Sequence, residues 1–101
     1  TTFNMGVFLI HPNAEEHARL LELQKSGTVK FQTGMSEQGF LNVVYKDQWY
    51  DIGFEHNANL AIFRHNRSYW DRHETEIRIV HYTMNKPWKC SREYERACLW
   101  W

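Results

Sequence analysis

Phe3-Asn4-Met5-Gly6-Val7-Phe8-Leu9-Ile10, followed by His11-Pro12-Asn13-Ala14-Glu15-Glu16, is the stretch that decides how the chain is read. Phe3 to Ile10 is a short apolar run rich in strand formers and closed by Pro12, which predicts a buried strand. Asn13 then stands as a helix N-cap, with Glu16 three residues on. The helix is predicted to run to about Ser26, with Gly27 as its stop signal. His17, Leu20, Leu21 and Gln24 share one of its faces. A strand followed directly by a helix is a unit of an α/β layer, so the expected fold class is α/β.

The rest of the chain supplies further elements. Thr28 to Gly34 reads as a loop. Ser36 is expected to cap a second helix from Glu37 to about Lys46, with Phe40, Leu41, Val44 and Tyr45 as its apolar stripe. Trp49 to Ile52 suggests a short strand, and Gly53 to Arg67 follows no clear period. Glu76 to Tyr82 predicts a strand with Ile77, Ile79 and His81 on one face. Ser91 is expected to cap a last helix with Tyr94, Ala97, Cys98 and Trp101 as its stripe.

Composition narrows the function classes. The chain has 101 residues, 12 of them Lys or Arg and 12 Asp or Glu, so its formal net charge is zero. A nucleic-acid module normally carries a basic excess, so that partner class is not expected. No apolar window is long enough for a membrane span, and the opening residues lack the pattern of a secretory leader. The apolar start and the Trp100-Trp101 end suggest a piece of a longer chain. Cys90 and Cys98 lie eight residues apart across an expected helix start, a poor spacing for a disulfide or for zinc ligation. They read as two packed or free thiols.

The chain carries six histidines. His56, His65, His73 and His81 have no partner at the helical spacing of a metal pair, so most read as surface or hydrogen-bonded groups. His81 differs, because it ends an apolar strand, where α/β proteins gather ligand groups. Lys86, Pro87, Trp88 and Lys89 follow it. An imidazole can ligate a divalent ion, and an ammonium can meet phosphate oxygens as a compact charge. The competing reading is a strand end with solvated basic residues. Glu37-Gln38-Gly39 offers a carboxylate and an amide at a helix start, where the helix dipole alone would favour the carboxylate. The same pair could hold a polyhydroxylated substrate, with Gly39 allowing a ligand or a backbone close. Asn4 and Gly6 form a comparable pair on the first strand, where an amide must find hydrogen bonds from protein or ligand. Most of the aromatics read as core, with Trp70 and Trp88 as the expected exceptions able to stack on sugar rings.

Phe3-Asn4-Met5-Gly6-Val7, the helix after Pro12, Glu37-Gln38-Gly39-Phe40-Leu41-Asn42, Asn57, and His81-Tyr82-Thr83-Met84-Asn85-Lys86-Pro87-Trp88 form an ordered set. In this order and at these separations they resemble the C-terminal part of the catalytic domain of glycosyltransferase family 8, the glycogenin-like nucleotide-sugar transferases. The resemblance implies a Rossmann-like α/β domain of the GT-A type. It also implies a retaining transfer of sugar from a UDP-sugar to an acceptor hydroxyl, with bound manganese. Residues matched to the family's motifs take on expected roles. Asn4 and Gly6 line the donor site. Glu37 and Gln38 are the catalytic candidates beside the donor sugar. His81 is a metal ligand, Lys86 meets the diphosphate, and Asn57 stands in the cleft wall.

Three departures from the family pattern stand out. The Asp-x-Asp motif that supplies carboxylate metal ligands is absent from these 101 residues and is expected before Thr1. Glu37 replaces the usual Asp, and Thr83-Met84 occupies a stretch where many members have Gly. Residues 1–101 are therefore expected to be the C-terminal portion of one transferase domain, inactive by themselves. The expected partners are the UDP-sugar and a glycan, protein or small-molecule acceptor; a homo-oligomer is compatible with the reading. Cytoplasm and Golgi lumen both stay open. The rival expectation is a non-catalytic carbohydrate-binding or interaction module that uses exposed aromatics.

Overall fold

Asn13 opens the first helix as expected: its Oδ1 accepts the Glu16 N–H at 3.0 Å. The computed structural model describes all 101 residues, Thr1–Trp101, in two compact units, Thr1–Asp51 and Ile52–Trp101. In the first unit α1 spans Ala14–Ser26 and ends at Gly27, whose φ of 65° is the left-handed conformation that glycine adopts without cost. A 3-10 turn, Thr33–Met35, leads into α2, Ser36–Val44. Ser36 does not cap this helix. Met35 holds the cap position without a side-chain bond, and Ser36 has φ 48°. The helix also stops at Val44, two residues short of the expected end. Phe40 is buried on the expected stripe and meets Phe31 edge to face at 5.7 Å. Glu16 pairs with Arg19 at 2.6 Å and accepts the Tyr45 hydroxyl, which ties α1 to the end of α2.

The expected strand over Phe3 to Ile10 does not form. No other strand lies in this unit to pair with it. Asn4 Oδ1 instead takes the Gly6 N–H at 2.8 Å, which turns the chain at Met5-Gly6. Phe8, Leu9 and Ile10 are exposed. Trp49 to Ile52 forms no strand either, although Trp49 packs edge to face on Phe3 at 5.5 Å. Gly39 sits under the chain before α2. A Cβ there would lie 2.8 Å from the Gln32 carbonyl oxygen and 3.1 Å from the Phe31 ring, so the close approach this glycine permits is to backbone.

The second unit has a core of Ala58, Leu60, Phe63, Trp70, Tyr94 and Ala97. It opens with a 3-10 turn, Phe54–His56, then β1, Ala58–Asn59, and α3, Leu60–His65. Asn59 caps α3 by accepting the Ala61 N–H at 2.8 Å, and Asn66 caps α4, Arg67–His73. β2, Val80–His81, pairs with β1 in parallel, Ala58 opposite Val80 and Asn59 opposite His81. The longer strand expected from Glu76 to Tyr82 is cut down by a 3-10 turn at Glu74–Glu76. The Arg78 and Ile79 N–H groups both go to the Glu55 carbonyl, at 2.7 and 3.0 Å, and not to a ladder. The expected face holds at Ile77 only: Ile77, Val80 and Tyr82 pack on the core, while Ile79 is exposed.

Three more expectations are corrected here. Trp70 is no exception to burial but the largest side chain sealed in the core, edge to face with Phe63 at 5.1 Å and Phe54 at 5.6 Å. Its polar neighbours lie on the outer face of α4, where Asp71 pairs with Arg67 and Arg96. The last helix does not start at Ser91. A 3-10 turn, Arg92–Tyr94, precedes α5, Glu95–Cys98, and Ser91 makes no side-chain cap. Cys90 and Cys98 form a disulfide, with Cα atoms 6.3 Å apart. Eight residues of continuous helix would separate them by about 12 Å. Because the chain turns at Arg92–Tyr94, bringing Tyr94 and Ala97 into the core, it also brings the two sulfurs together.

Replacing the buried indole, Trp70→Ala, should cost about 3–5 kcal/mol in denaturant unfolding. Tyr50→Ala, at a side chain 94% exposed, should stay within about 0.5 kcal/mol. Gly39→Ala should destabilise by about 1–3 kcal/mol, since the added methyl meets a carbonyl oxygen; an unchanged unfolding midpoint would contradict the packing. Arg19 first, and then Tyr45, hold the Glu16 carboxyl down at about 2 through their hydrogen bonds. A depressed carboxyl stabilises the folded state above its unfolded value of 4.5, and that contribution fades as pH falls toward 2. Carbon-13 titration of Glu16 should therefore show a midpoint near 2, moving up toward 4.5 in Arg19→Met.

Candidate functional site

The residues singled out in the sequence fall into two groups, one in each unit. In the first unit the chain from Phe3 to Met5 lies along α2. Gln38 and Asn42 project from successive turns of that helix, both half-buried. Gln38 Oε1 accepts the Met5 N–H at 2.9 Å. Asn42 Oδ1 accepts the Phe3 N–H at 2.7 Å, and its Nδ2 donates to the Phe3 carbonyl at 2.8 Å. The Asn4–Gly6 turn and Gln38 are thus neighbours through the Met5 peptide. Asn4 and Gly6 are exposed on that turn, and Glu37 is exposed in the first turn of α2. With its oxygen engaged by Met5, Gln38 keeps its Nε2 hydrogens as donors for a hydroxyl or carbonyl.

In the second unit the β1–β2 register brings Asn57 beside His81. Asn57 Oδ1 lies 3.0 Å from His81 Nδ1, so with that oxygen as acceptor the proton sits on Nδ1 and Nε2 carries the lone pair. Burial, and then the Lys86 ammonium nearby, hold this imidazole below its ordinary range. It is therefore neutral near pH 7, the form that can ligate a cation. Lys86 is exposed, and its Nζ donates to the Tyr82 carbonyl at 2.7 Å, which bends the Thr83–Asn85 segment back on itself. An ammonium has three hydrogens, so that bond leaves two for other acceptors. Thr83 is tied to Asn59 through their side chains at 2.6 Å.

His81 fits a divalent cation as one nitrogen donor with its outer partner already in place. A full ligand set is not present, since no three His, Cys, Asp or Glu side chains cluster to hold an ion. Two of the other histidines are engaged elsewhere, His56 with the Ile52 carbonyl at 2.8 Å and His73 with Glu76 at 2.9 Å. Trp88 is 64% exposed, as expected, and lies 5.8 Å from the exposed ring of Trp101. Sequence reasoning gave no role to Asn42. Its spacing of four residues from Gln38 on a helix was the available signal.

Comparison with known proteins places the chain in a family. The family model described as Glycosyl transferase family 8 matches residues 1–91. Galactinol synthase 1 of Solanum lycopersicum is 35% identical over 100 residues, covering 92% of this chain and 28% of the relative. Galactinol synthase 2 of Arabidopsis thaliana is 35% identical over 98 residues, 92% of this chain and 27% of its own length. The putative UDP-glucuronate:xylan alpha-glucuronosyltransferase 4 of Arabidopsis thaliana is 31% identical over 98 residues, 97% of this chain and 16% of its length. The chain therefore spans about a quarter or less of these curated relatives. No solved structure gives a significant match. With nine-tenths of its residues under one family model, and motifs that carry the same resemblance, the chain belongs to glycosyl transferase family 8.

Proposed function

We propose that residues 1–101 are the C-terminal portion of a GT-A type catalytic domain that transfers a hexosyl or glycuronosyl group from a UDP-sugar to an acceptor hydroxyl, with retention and with a divalent metal. The observation that carries this reading is the Asn57–His81 hydrogen bond, 3.0 Å long, with Lys86 five residues further on in a family-8 chain. Asn57 holds the ring in the tautomer that offers Nε2. Lys86 offers two ammonium hydrogens to diphosphate oxygens, and the exposed setting of its side chain leaves room for them. Gln38 donates from Nε2 to a sugar hydroxyl while Met5 holds its oxygen. Glu37 supplies a carboxylate on the same turn, and Asn4 and Gly6 line the sugar side. A bound divalent ion such as manganese would add a Lewis acid for the negative charge on the departing UDP. His81 would hold it together with carboxylates, the Asp-x-Asp pair, in chain preceding these residues.

The relatives' names put galactinol formation and glucuronate transfer first among the reactions to try. The test is a donor screen of the full-length protein with manganese. His81→Ala should lower metal-dependent turnover at least about 100-fold and weaken manganese binding in calorimetry. Unchanged turnover in that variant removes His81 from the metal site. The 101 residues by themselves should bind UDP and manganese weakly, since they lack a complete ligand set. The exposed Trp88–Trp101 pair favours a second reading, a glycan-binding module. Glycan binding without UDP or metal, lost in Trp88→Ala, would support it.

A further inference from the structure

We propose that Asn42 is a positioning residue: its side-chain amide clamps the Phe3–Met5 segment onto α2 and so sets Gln38 and the Asn4–Gly6 turn in one fixed register. The inference rests on the reading of Gln38 and Asn4–Gly6 as donor-site elements.

The geometry is that of a strand pair in which one partner is a helix. Asn42 exchanges both hydrogen bonds with Phe3, N–H to Oδ1 at 2.7 Å and Nδ2 to the carbonyl at 2.8 Å. Two opposed residues in an antiparallel ladder make the same double exchange. Nδ2 also donates to the Gln38 carbonyl at 2.9 Å, which uses both of its hydrogens. One turn earlier, Gln38 Oε1 takes the Met5 N–H at 2.9 Å. Phe3 and Met5 are two residues apart, about 6.8 Å along an extended chain, and their N–H groups point to the same side. Gln38 and Asn42 are four residues apart, about 6 Å along a helix. The two repeats match, so two amides on one helix face read alternate peptides of the segment. Neither side-chain oxygen can slip by one residue without losing its donor. The partner atoms are partly buried, so water does not replace the lost bonds at full strength. Without Asn42 the segment loses its register, and the Met5 contact that orients Gln38 goes with it.

A double-mutant cycle in the full-length enzyme, with the UDP-sugar chosen by the donor screen, tests this. Gln38→Ala should lower kcat/KM about 30-fold and Asn42→Ala about 10-fold. The double variant should lose clearly less than the product of the two single losses, because Asn42 acts in large part through Gln38. Asn42→Ser keeps a side chain able to bond the Gln38 carbonyl within the helix but too short to reach Phe3, and it should lose activity as Asn42→Ala does while melting within a few degrees of wild type. Additive losses in the double variant, or wild-type kcat/KM in folded Asn42→Ala, overturn the proposal. So does failure of both Asn42 variants to fold, which would make the role structural alone. Unchanged turnover in Gln38→Ala overturns the donor-site reading itself, and is told apart because the single variant shows it.

Discussion

A parallel pairing only two residues long, Ala58 with Val80 and Asn59 with His81, sets the chemistry of the second unit. Ala58 is wholly buried, and Val80 packs on the same core from the neighbouring strand. In a strand the faces alternate, so a slip of one residue would carry His81 into the core and Val80 out of it. The burial of Ala58 and Val80 therefore fixes which way His81 leans. It also brings Asn57 to His81 across 24 residues of chain. The orientation of one imidazole thus follows from hydrophobic packing, and hydrogen bonding refines it.

The core that enforces this register is aromatic. Phe54, Phe63 and Trp70 meet edge to face, the arrangement their ring quadrupoles favour. The Trp70 indole N–H reaches Glu74 at 3.3 Å, so burying it leaves no donor unmet. Arg96 then bridges Asp71 and Glu74, which fastens the C-terminal helix over the end of α4. The disulfide from Cys90 to Cys98 closes the same segment. Tyr82 adds a hydroxyl bond to the Ala97 carbonyl at 2.8 Å, so the strand bearing His81 and the last helix share one contact.

The first unit solves a different problem with less apolar material. Its α1 helix buries no residue and Phe40 is its one sealed side chain. Polar side chains do more of the organising here. Glu16 gathers Arg19 and Tyr45, and the amides of Gln38 and Asn42 take the place of a neighbouring strand for Phe3 and Met5. The partly buried amide bonds to Phe3 and Met5 each contribute only about 1 kcal/mol net, but leaving one of their partners unmade costs more, and that asymmetry gives them directional authority.

Some of this was legible in the amino-acid sequence. The first helix was readable to the residue at both ends, since Asn13 capping and the Gly27 stop depend on contacts within a few residues. The family was readable too, because the order of the motifs from Phe3 to Trp88 is itself sequence information. What tertiary structure alone decided was long-range. Whether Phe3 to Ile10 becomes a strand depends on a partner strand elsewhere, and the amides of α2 took that place. Which face of Val80–Tyr82 turns inward depends on the core it meets. Cys90 and Cys98 pair because a turn between them, held by the burial of Tyr94, folds the chain back. Local propensity is written in neighbouring residues, whereas strand pairing and burial are decided by segments dozens of residues away; even Cys90 and Cys98, eight residues apart, meet only because Tyr94 between them enters a core built from distant residues.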